Sequence, residues 1–536
     1  MQWQSLGDRS WLWTSRQNTE EGRLREVVAM AEALREADFP VPVADVVSSF
    51  ETVAVHCEPD SQPVVGSILA DFSLPQVEDS EEAKPGRLVT IPVSYGDLAE
   101  LTEALSLSRD EIIQLHSSAE YTVATLGFSP GFPYLLGLPP QLHVPRKAMP
   151  AKVPAGSVAI AAGQAGIYPM ASQGGWHVLG QTDAPLFRAE ADPPTLLRPG
   201  DRVRFEPSGP LSLPASSPPH NPSGSVHVEA PGLATTVQDL GRPGWQHLGI
   251  SPGGASDPFL ARVANLLVGN PETSALLETT LQGPRLTFTE LTRLAFIGWE
   301  SDRAGRPLEF EAGSTLDLSQ LRPLATHGYV AFGGGLKLDA TLGSRATDLR
   351  GRFGGIGGRL LQKGDQLAVG QPFPLTDGSD WRVGWPLATS SRAIEIRYLK
   401  GRQANWFSRR TRQLFNDEPF TKSSSFDRTG LRLDGPAIHP DRALSLKSQP
   451  VVPGSVQIPP AGQPIALLSE RQTIGGYPQI AHIISADLPA LTRALPGTEV
   501  RFREVDLPTA RAAWQSLQSE LAFLRTGLTL RQKHEK

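Results

Sequence analysis

A mainly β protein of α+β type is expected, with one β-barrel-like module used twice and a small α/β domain at the N-terminus. The first observation is an internal repeat. Residues 153–164 read VPAGSVAIAAGQ and residues 452–463 read VPGSVQIPPAGQ. Each copy is followed by a glycine pair and an aromatic, Gly174-Gly175-Trp176 and Gly475-Gly476-Tyr477, and closes on RPGDRVRF at 198–205 or LPGTEVRF at 495–502. Ser157 precedes Gly200 by 43 residues and Ser455 precedes Gly497 by 42, so the spacing is conserved as well as the wording. The second observation is punctuation: 51 glycines and 48 prolines lie between short apolar runs rather than in tails, which is turn chemistry between strands. The third is a stretch that cannot join a core. Residues 207–225, PSGPLSLPASSPPHNPSGS, hold no aromatic and no formally charged side chain, so a linker is expected there.

The elements follow in order. A short strand around Trp11 to Thr14 opens the chain, and Leu24, Val27, Val28, Ala31 and Leu34 predict a helix over 21–37. Strands at 52–56 and 65–71 complete a small α/β domain, 1–88. A second domain, 89–206, begins on the strand 88–93. Its helix 109–119 starts on a capping box of Ser108 and Glu111, with Leu107 outside it. After the linker, 226–380 forms the first β domain of the larger part. Asp257-Pro258 starts a helix there, with a side-chain cap and a proline whose missing N–H costs nothing in the first turn. Strands are expected at 286–288, 293–297, 315–318, 328–332 and 366–369. A second β module, 381–507, takes strands at 393–398, 451–458 and 465–468. A helix over about 508–526 spaces Trp514, Leu517, Leu521 and Leu524 for the outside of a barrel, within a segment 508–536 whose tail RQKHEK should fray.

Composition excludes several classes. At 536 residues several domains are expected. A net charge of -6 without a long basic block disfavours nucleic acid as partner. One cysteine, Cys57, leaves no intrachain disulfide and no thiolate metal cluster. No stretch approaches the roughly 20 apolar residues of a membrane span, and no basic start precedes an apolar run, so a cytoplasmic location is expected. Eleven histidines without HxH or HExxH spacing argue against a zinc site.

Three clusters carry candidate chemistry. In 116–134, a helix runs out at His116 and Glu120, one helical turn apart on the same face, followed by a loop rich in Gly, Pro and Phe. That loop is either a rigid recognition surface or core. In 141–168, Arg146 and Lys152 bring positive charge beside the first repeat, with Gln164 closing it. In 238–257, Gln238, Asp239, Arg242, His247 and Asp257 lie among glycines ahead of a helix, where open backbone N–H groups favour an anion. Neither a P-loop nor a Rossmann fingerprint is present. In the second repeat, RQTIGGYP adds Arg471, Gln472, Thr473 and Tyr477, with the arginine facing an anion and the tyrosine lining its wall; the first repeat has no such arginine.

These phrases resemble two families. HSSAEYTVATLGFSPGFPYL, VPRKAMPAKVPAGSVAIAAGQAGIYPM and GGWHVLGQT are similar to the smaller subunit of the bacterial ATP-dependent 5-oxoprolinase, also called allophanate hydrolase subunit 1 or KipI. VEAPGLATTVQDLGRPGWQHLGISPGGASDP, Asn265, Glu278, LGSRATD, GGIGGRLLQKGD and VPGSVQIPPAGQPIALLSERQTIGGYP are similar to the larger partner, subunit 2 or KipA. Both also resemble the carboxyltransferase domain of urea carboxylase, and their modules resemble cyclophilin-type barrels. The resemblance implies a lactam hydrolase that opens 5-oxo-L-proline to L-glutamate with ATP and Mg2+, active only with a separate LamB/YcsF-like subunit. Phosphorylation of the lactam oxygen would give an activated imidate that water attacks. On that reading Arg146, Lys152, Arg242, Arg345 and Arg471 do the electrostatic work, and His116 or Glu120 handles protons. The chain departs from its families at Arg9-Ser10-Trp11-Leu12-Trp13 after Gly7-Asp8, and at Trp299, where a small residue is usual and a groove wall would be filled.

Two other functions fit the same resemblance. A carboxyltransferase acting on carboxybiotin and a urea or amide would need a biotin carrier and an ATP-grasp region, and neither is in this chain. A histidine-kinase regulator would fuse an inhibitor to its own antagonist. The linker should leave the two parts associated as one unit, and a homo-oligomer is compatible with the sequence.

Overall fold

The computed structural model describes residues 3–73, 86–147, 149, 151–209, 211, 224–372, 382–383, 392–442 and 446–534. Most of the expected linker, 210 and 212–223, lies outside the described residues.

The N-terminal domain is an antiparallel sheet ordered Gln4–Ser5, Ser10–Thr14, Thr52–Cys57, Val43–Ser48. The helix Glu20–Glu36 starts where the Thr19 hydroxyl accepts from Gly22 N at 3.0 Å, and it buries Leu24, Val27, Met30, Ala31 and Leu34. The strand expected at 65–71 is instead the helix Gln62–Asp71. An apolar run this short has no readable period, and Pro63 in its first turn favours a helix start. Gly66 lets that helix approach Trp11, whose ring would clash with any Cβ there at 2.3 Å.

Two closed seven-stranded barrels follow the repeat strand by strand. In each, the first and last strands pair in parallel: Leu88–Tyr95 with Arg202–Pro207, and Ala393–Lys400 with Glu499–Glu504. Each barrel packs a helix against its last strand, Arg109–Ser118 in one and Arg409–Asp417 in the other. The first of these carries the expected Ser108–Glu111 capping box. Each barrel also carries a two-stranded annex, Ala151–Val153 with Ser172–Gly174 and Gln449–Pro450 with Ile474–Gly475. The strand expected over 451–458 is therefore divided: Gln449–Pro450 belongs to the annex and Ser455–Gln457 to the barrel.

Between the barrels lie a four-stranded and a five-stranded sheet built from 226–367. The helix Pro258–Leu267 covers the five-stranded sheet, and its cap is Asp257, which accepts from Leu260 N at 3.0 Å. Trp299 is 1% exposed, packs against Gly328 and donates its indole N–H to Leu281 O at 3.1 Å. It fills the core between the sheets rather than a groove wall.

The C-terminal helix runs Leu507–His534, past the expected end at 526 and into the tail. Its first turns touch the second barrel, where Ala510 packs on Leu399 and Ile484. Leu517, Leu521 and Leu524 lie instead on the face of the helix Pro258–Leu267. The two parts of the chain pack on each other: Leu6, Leu12 and Ala54 share a core with Val452, and buried Asp8 accepts from Ser485 N at 2.7 Å and Ser485 Oγ at 2.8 Å.

Candidate functional site

The segment 238–257 threads between the barrels, which is why so many of its residues are small. Leu248 and Ile250 enter the core of the first barrel. Ser251 Oγ donates to Arg471 O, and Gly253 N donates to Ser469 O at 3.3 Å, both on the second. His247 N and Nδ1 meet Asp45 of the N-terminal domain at 3.0 and 3.1 Å. A Cβ on Gly254 would stand 2.6 Å from Gly241 N, so the strand of backbone can fold back on itself only as glycine.

Where this segment, the N-terminal sheet, the second barrel and the C-terminal helix meet, they enclose a cavity of about 260 Å³. Its charged wall residues are Arg9, Glu58, Arg262 and Arg471, three guanidiniums against one carboxylate. Arg9 is paired with Glu58 at 2.9 Å. Arg471 is 2% exposed; its Nη2 donates to Gln246 Oε1 at 2.6 Å and its Nε to Val451 O at 3.3 Å, while Nη1 has no partner among the described residues. Burial, and next the neighbouring Arg9, lower Arg471 to about 9, still a cation at neutral pH. Buried His56 is in the same wall. Its Nδ1 lies 2.7 Å from Ser10 Oγ, and its Nε2 has no partner among the described residues. Burial, reinforced by the charge of Arg471, lowers His56 to about 3 and holds it neutral. Trp514, Leu517 and Gln518 of the C-terminal helix complete the wall, with Trp514 Nε1 donating to Asp60 at 3.1 Å.

Behind the cavity lies a buried ionic network. Arg428 donates to Glu470 at 2.5 Å, and to Glu278, Ser256 and Gly254 O. Glu278 also accepts from Ser256 N at 2.6 Å and Tyr329 at 2.9 Å; burial raises its pKa, but Arg428, His327 and these two hydrogen bonds together outweigh burial and lower it. This joins the second barrel to the five-stranded sheet.

Of the residues singled out from sequence, Arg471 alone stands in the cavity wall. His116 is fully buried against Phe205 at 4.5 Å, and burial lowers it to about 3; it is an aromatic core residue, not a proton carrier at a site. Glu120 is not on its helix, which ends at Ser118; it starts a strand and pairs at the surface with Arg202 and Arg204 at 2.9 and 3.4 Å. Arg146 and Lys152 are exposed on the first barrel and Gln164 is half-buried on it. Asp239 holds the loop 341–348 by accepting from Ser344 Oγ and Arg345 N, both at 2.6 Å, and Arg345 itself is exposed. Gln238 donates to Thr236 at 3.0 Å within the core. Asp257 is occupied as a cap and by Arg493 at 2.8 Å. Arg242 is 1% exposed, stacks on Phe353 at 4.7 Å and donates to Ala346 O. Gln472 reaches Gln457 at 3.4 Å, Thr473 is buried, and Tyr477 is 42% exposed outside the cavity wall. His56 and Gln246 were missed because each is an ordinary residue in its own segment, and Arg9 and Ser10 stood out only as a departure from the family pattern; the meeting of four segments brings them to one cavity.

The family models agree with this architecture. Residues 1–197 match the carboxyltransferase domain, subdomain C and D, and residues 248–504 match the carboxyltransferase domain, subdomain A and B. The chain belongs to the carboxyltransferase-domain family. Within it, the second part is 35% identical over 283 residues to one of the 5-oxoprolinase subunits of Haemophilus influenzae, covering 51% of this chain and 89% of that protein. The first part is 52% identical over 137 residues to a different 5-oxoprolinase subunit, from Escherichia coli O157:H7, covering 24% of this chain and 63% of that one. The chain thus joins in one polypeptide two parts similar to proteins known as separate subunits. The crystal structure of TTHA0988 superposes with a TM-score of 0.80 at 34% identity, covering 92% of this chain and 99% of that one. Urea amidolyase of Lachancea kluyveri is 25% identical over 346 residues, 56% of this chain and 18% of that protein. Among the described residues, no helix is long and apolar enough to cross a membrane.

Proposed function

We propose that the chain is the fused accessory pair of an ATP-dependent 5-oxoprolinase, opening 5-oxo-L-proline to L-glutamate together with a separate LamB/YcsF-like subunit. Relatives of both parts carry the 5-oxoprolinase name, which supports the reading from each side of the linker. The observation that carries it is the cavity at the junction of the two parts, small and net positive, with three guanidiniums and one carboxylate in its wall. That charge suits a small acid such as 5-oxoproline better than neutral urea. The cavity of about 260 Å³ suits a small molecule better than a nucleotide. The basic residues expected to hold phosphates are dispersed over both barrels or engaged in the core. We therefore assign the nucleotide to the assembly with the third subunit and derive no step through it.

The test is reconstitution. Purified chain mixed with the LamB/YcsF-like subunit, ATP, Mg2+ and 5-oxoproline should release glutamate and ADP in equal amounts. Arg471→Ala should lower that turnover by at least tenfold while thermal stability stays within a few degrees of the parent. Absence of turnover in every such mixture, together with binding of free biotin, would replace this reading with carboxyl transfer to a urea or amide, which the urea amidolyase relatives favour.

A further inference from the structure

The C-terminal helix Leu507–His534 closes one side of the cavity, yet it is fixed firmly only at its start. There Val505 N donates to Tyr398 O at 2.9 Å, the Asp506 carboxylate accepts from Thr509 N at 2.9 Å, and Ala510 is buried on the second barrel. Among residues 511–530, Leu521 alone is buried, on the face of the helix Pro258–Leu267. The polar ties are light. Arg511 donates to Gln62 Oε1 at 3.3 Å and Trp514 Nε1 to Asp60 at 3.1 Å, both in the N-terminal domain, and Arg525 pairs with Glu272 at 2.6 Å. Exposed ties of this kind contribute little each. An element anchored at one end and lightly held along its length opens locally while the rest stays folded.

This lightly held element supplies Trp514, Leu517 and Gln518 to the cavity wall, so moving it removes a wall. It also sets the charge of the wall that stays. Glu272 lies 2.6 Å from Arg525 and 3.9 Å from Arg262, and Arg262 lines the cavity. With the helix docked, Arg525 is the nearer of the two cations. With the helix away, Arg262 is the one left beside Glu272, and its charge is neutralised there instead of facing the cavity. A docked helix and an anion in the cavity therefore favour each other, and by linkage the effect runs both ways. The helix also lies beyond residues 248–504, which match the carboxyltransferase domain. We propose that Leu507–His534 is a hinged cover for the cavity, turning about Val505–Ala510, with the Arg525–Glu272 pair as its latch and Trp514 and Gln518 facing the ligand when it is closed. The inference rests on the cavity being the substrate site of the proposed function, and adds how a ligand enters and is held.

The chain's one cysteine reports on the cover. Cys57 is buried and lines the cavity. Its rate of modification by methyl methanethiosulfonate is followed by mass spectrometry on the full chain, first without ligand. Leu521→Ala, outside the cavity wall, should raise that rate roughly tenfold or more. Arg525→Ala should raise it roughly two- to fivefold. Val203→Ala, in the core of the first barrel, controls for general unfolding and should stay within about twofold of the parent. Added 5-oxoproline should slow the modification of the unaltered chain and slow hydrogen exchange over 511–530. Its apparent Kd should rise roughly fivefold in Arg525→Ala, and Glu272→Gln in the same chain should restore most of the loss. Equal rates in the parent, Leu521→Ala and Arg525→Ala overturn the inference, and so does an equal rise in Val203→Ala. An affinity for 5-oxoproline that Arg525→Ala leaves unchanged overturns it as well. Faster modification in both helix variants, with no effect of 5-oxoproline on any chain, keeps the cover and removes this cavity as the substrate site. Turnover in the reconstituted mixture with equal rates in all chains keeps the proposed function and removes the cover.

Discussion

The two barrels share one plan and fill it with different chemistry. In the first, His116 stacks on Phe205 at 4.5 Å and 23°; in the second, Phe415 stacks on Phe502 at 4.5 Å and 17°. Both pairs join the barrel's helix to its last strand, and a tyrosine of the first strand, Tyr95 or Tyr398, meets each edge-on at 5.7 or 5.4 Å. The imidazole therefore occupies a place that the other copy gives to a benzene ring. The hairpin tips differ in the opposite sense. In the first barrel Phe128 sits under Arg350 at 4.5 Å, whereas in the second Arg428 reaches into a buried pair of carboxylates. Ahead of the glycine pair, Met170 in one copy stands where Arg471 stands in the other. The lesson is that residue type alone does not mark chemistry, since a histidine can serve as an aromatic.

Acid gives the broadest test of histidines used in this way. Burial holds His56 and His116 at about 3, and His327 and His482 at about 4, against an ordinary value of 6.5. The folded values lie below the unfolded ones, so between them the unfolded chain binds more protons. The contribution is complete above pH 6.5 and is lost as pH falls toward 3–4. Each group removes roughly 2 kcal/mol by pH 5. Glu470 opposes this, since burial raises it to about 7 and its proton favours the fold below that pH. The net loss from pH 7 to pH 5 should be on the order of 5 kcal/mol in denaturant unfolding. Equal stability at the two pH values would mean that these rings are not held neutral.

The hairpin tips predict the next largest effect. Arg428→Ala strands two buried carboxylates and should cost about 3–5 kcal/mol. Phe128→Ala removes a half-buried ring and should cost about 1–2 kcal/mol. Adding Glu470→Gln to Arg428→Ala should recover part of the loss, because one orphaned charge is then gone. Equal losses at the two tips, measured by thermal or denaturant unfolding, would erase the contrast between them.

The repeat made the barrels legible because turn glycines and strand spacing are local properties, carried by phrases such as VPAGSV and VPGSV. Caps were legible for the same reason: Ser108 and Asp257 act within three residues of themselves. The helix Gln62–Asp71 was not, since a ten-residue apolar element has no room to show its period. Of the candidate site residues read from the sequence, Arg471 is the one the structure places in the cavity wall, and it stood out as a charge in one copy of a repeat. His56 lies in a uniformly buried strand, and nothing in VAVHC sets it apart from core. Its partner Ser10 is 46 residues away and Arg471 lies on the second barrel, outside the N-terminal sheet, so their meeting is a property of the tertiary fold. His116 misled for the converse reason: the sequence shows a helix-end histidine beside a carboxylate and hides the phenyl ring waiting under it.

The smallest predicted effect bears most directly on that equivalence. If His116 serves as the ring that Phe415 is, His116→Phe should change stability at pH 7 by less than about 1 kcal/mol. It leaves the Tyr95 hydroxyl without its 2.7 Å partner, but Tyr95 is only half-buried and water can replace the bond. At pH 5 the same variant should be more stable than the parent, because a group that must stay neutral to remain folded has been removed. The reverse exchange is not symmetrical. Phe415→His places two ring nitrogens where Tyr398 is already committed to Asn416 at 2.6 Å, and should cost about 1–3 kcal/mol. The pair of variants is compared by denaturant unfolding at pH 7 and pH 5, with turnover in the reconstituted mixture as the second readout. Unchanged turnover for His116→Phe makes the ring structural. Loss of turnover at unchanged stability would return His116 to the chemistry and end the equivalence of the two barrels.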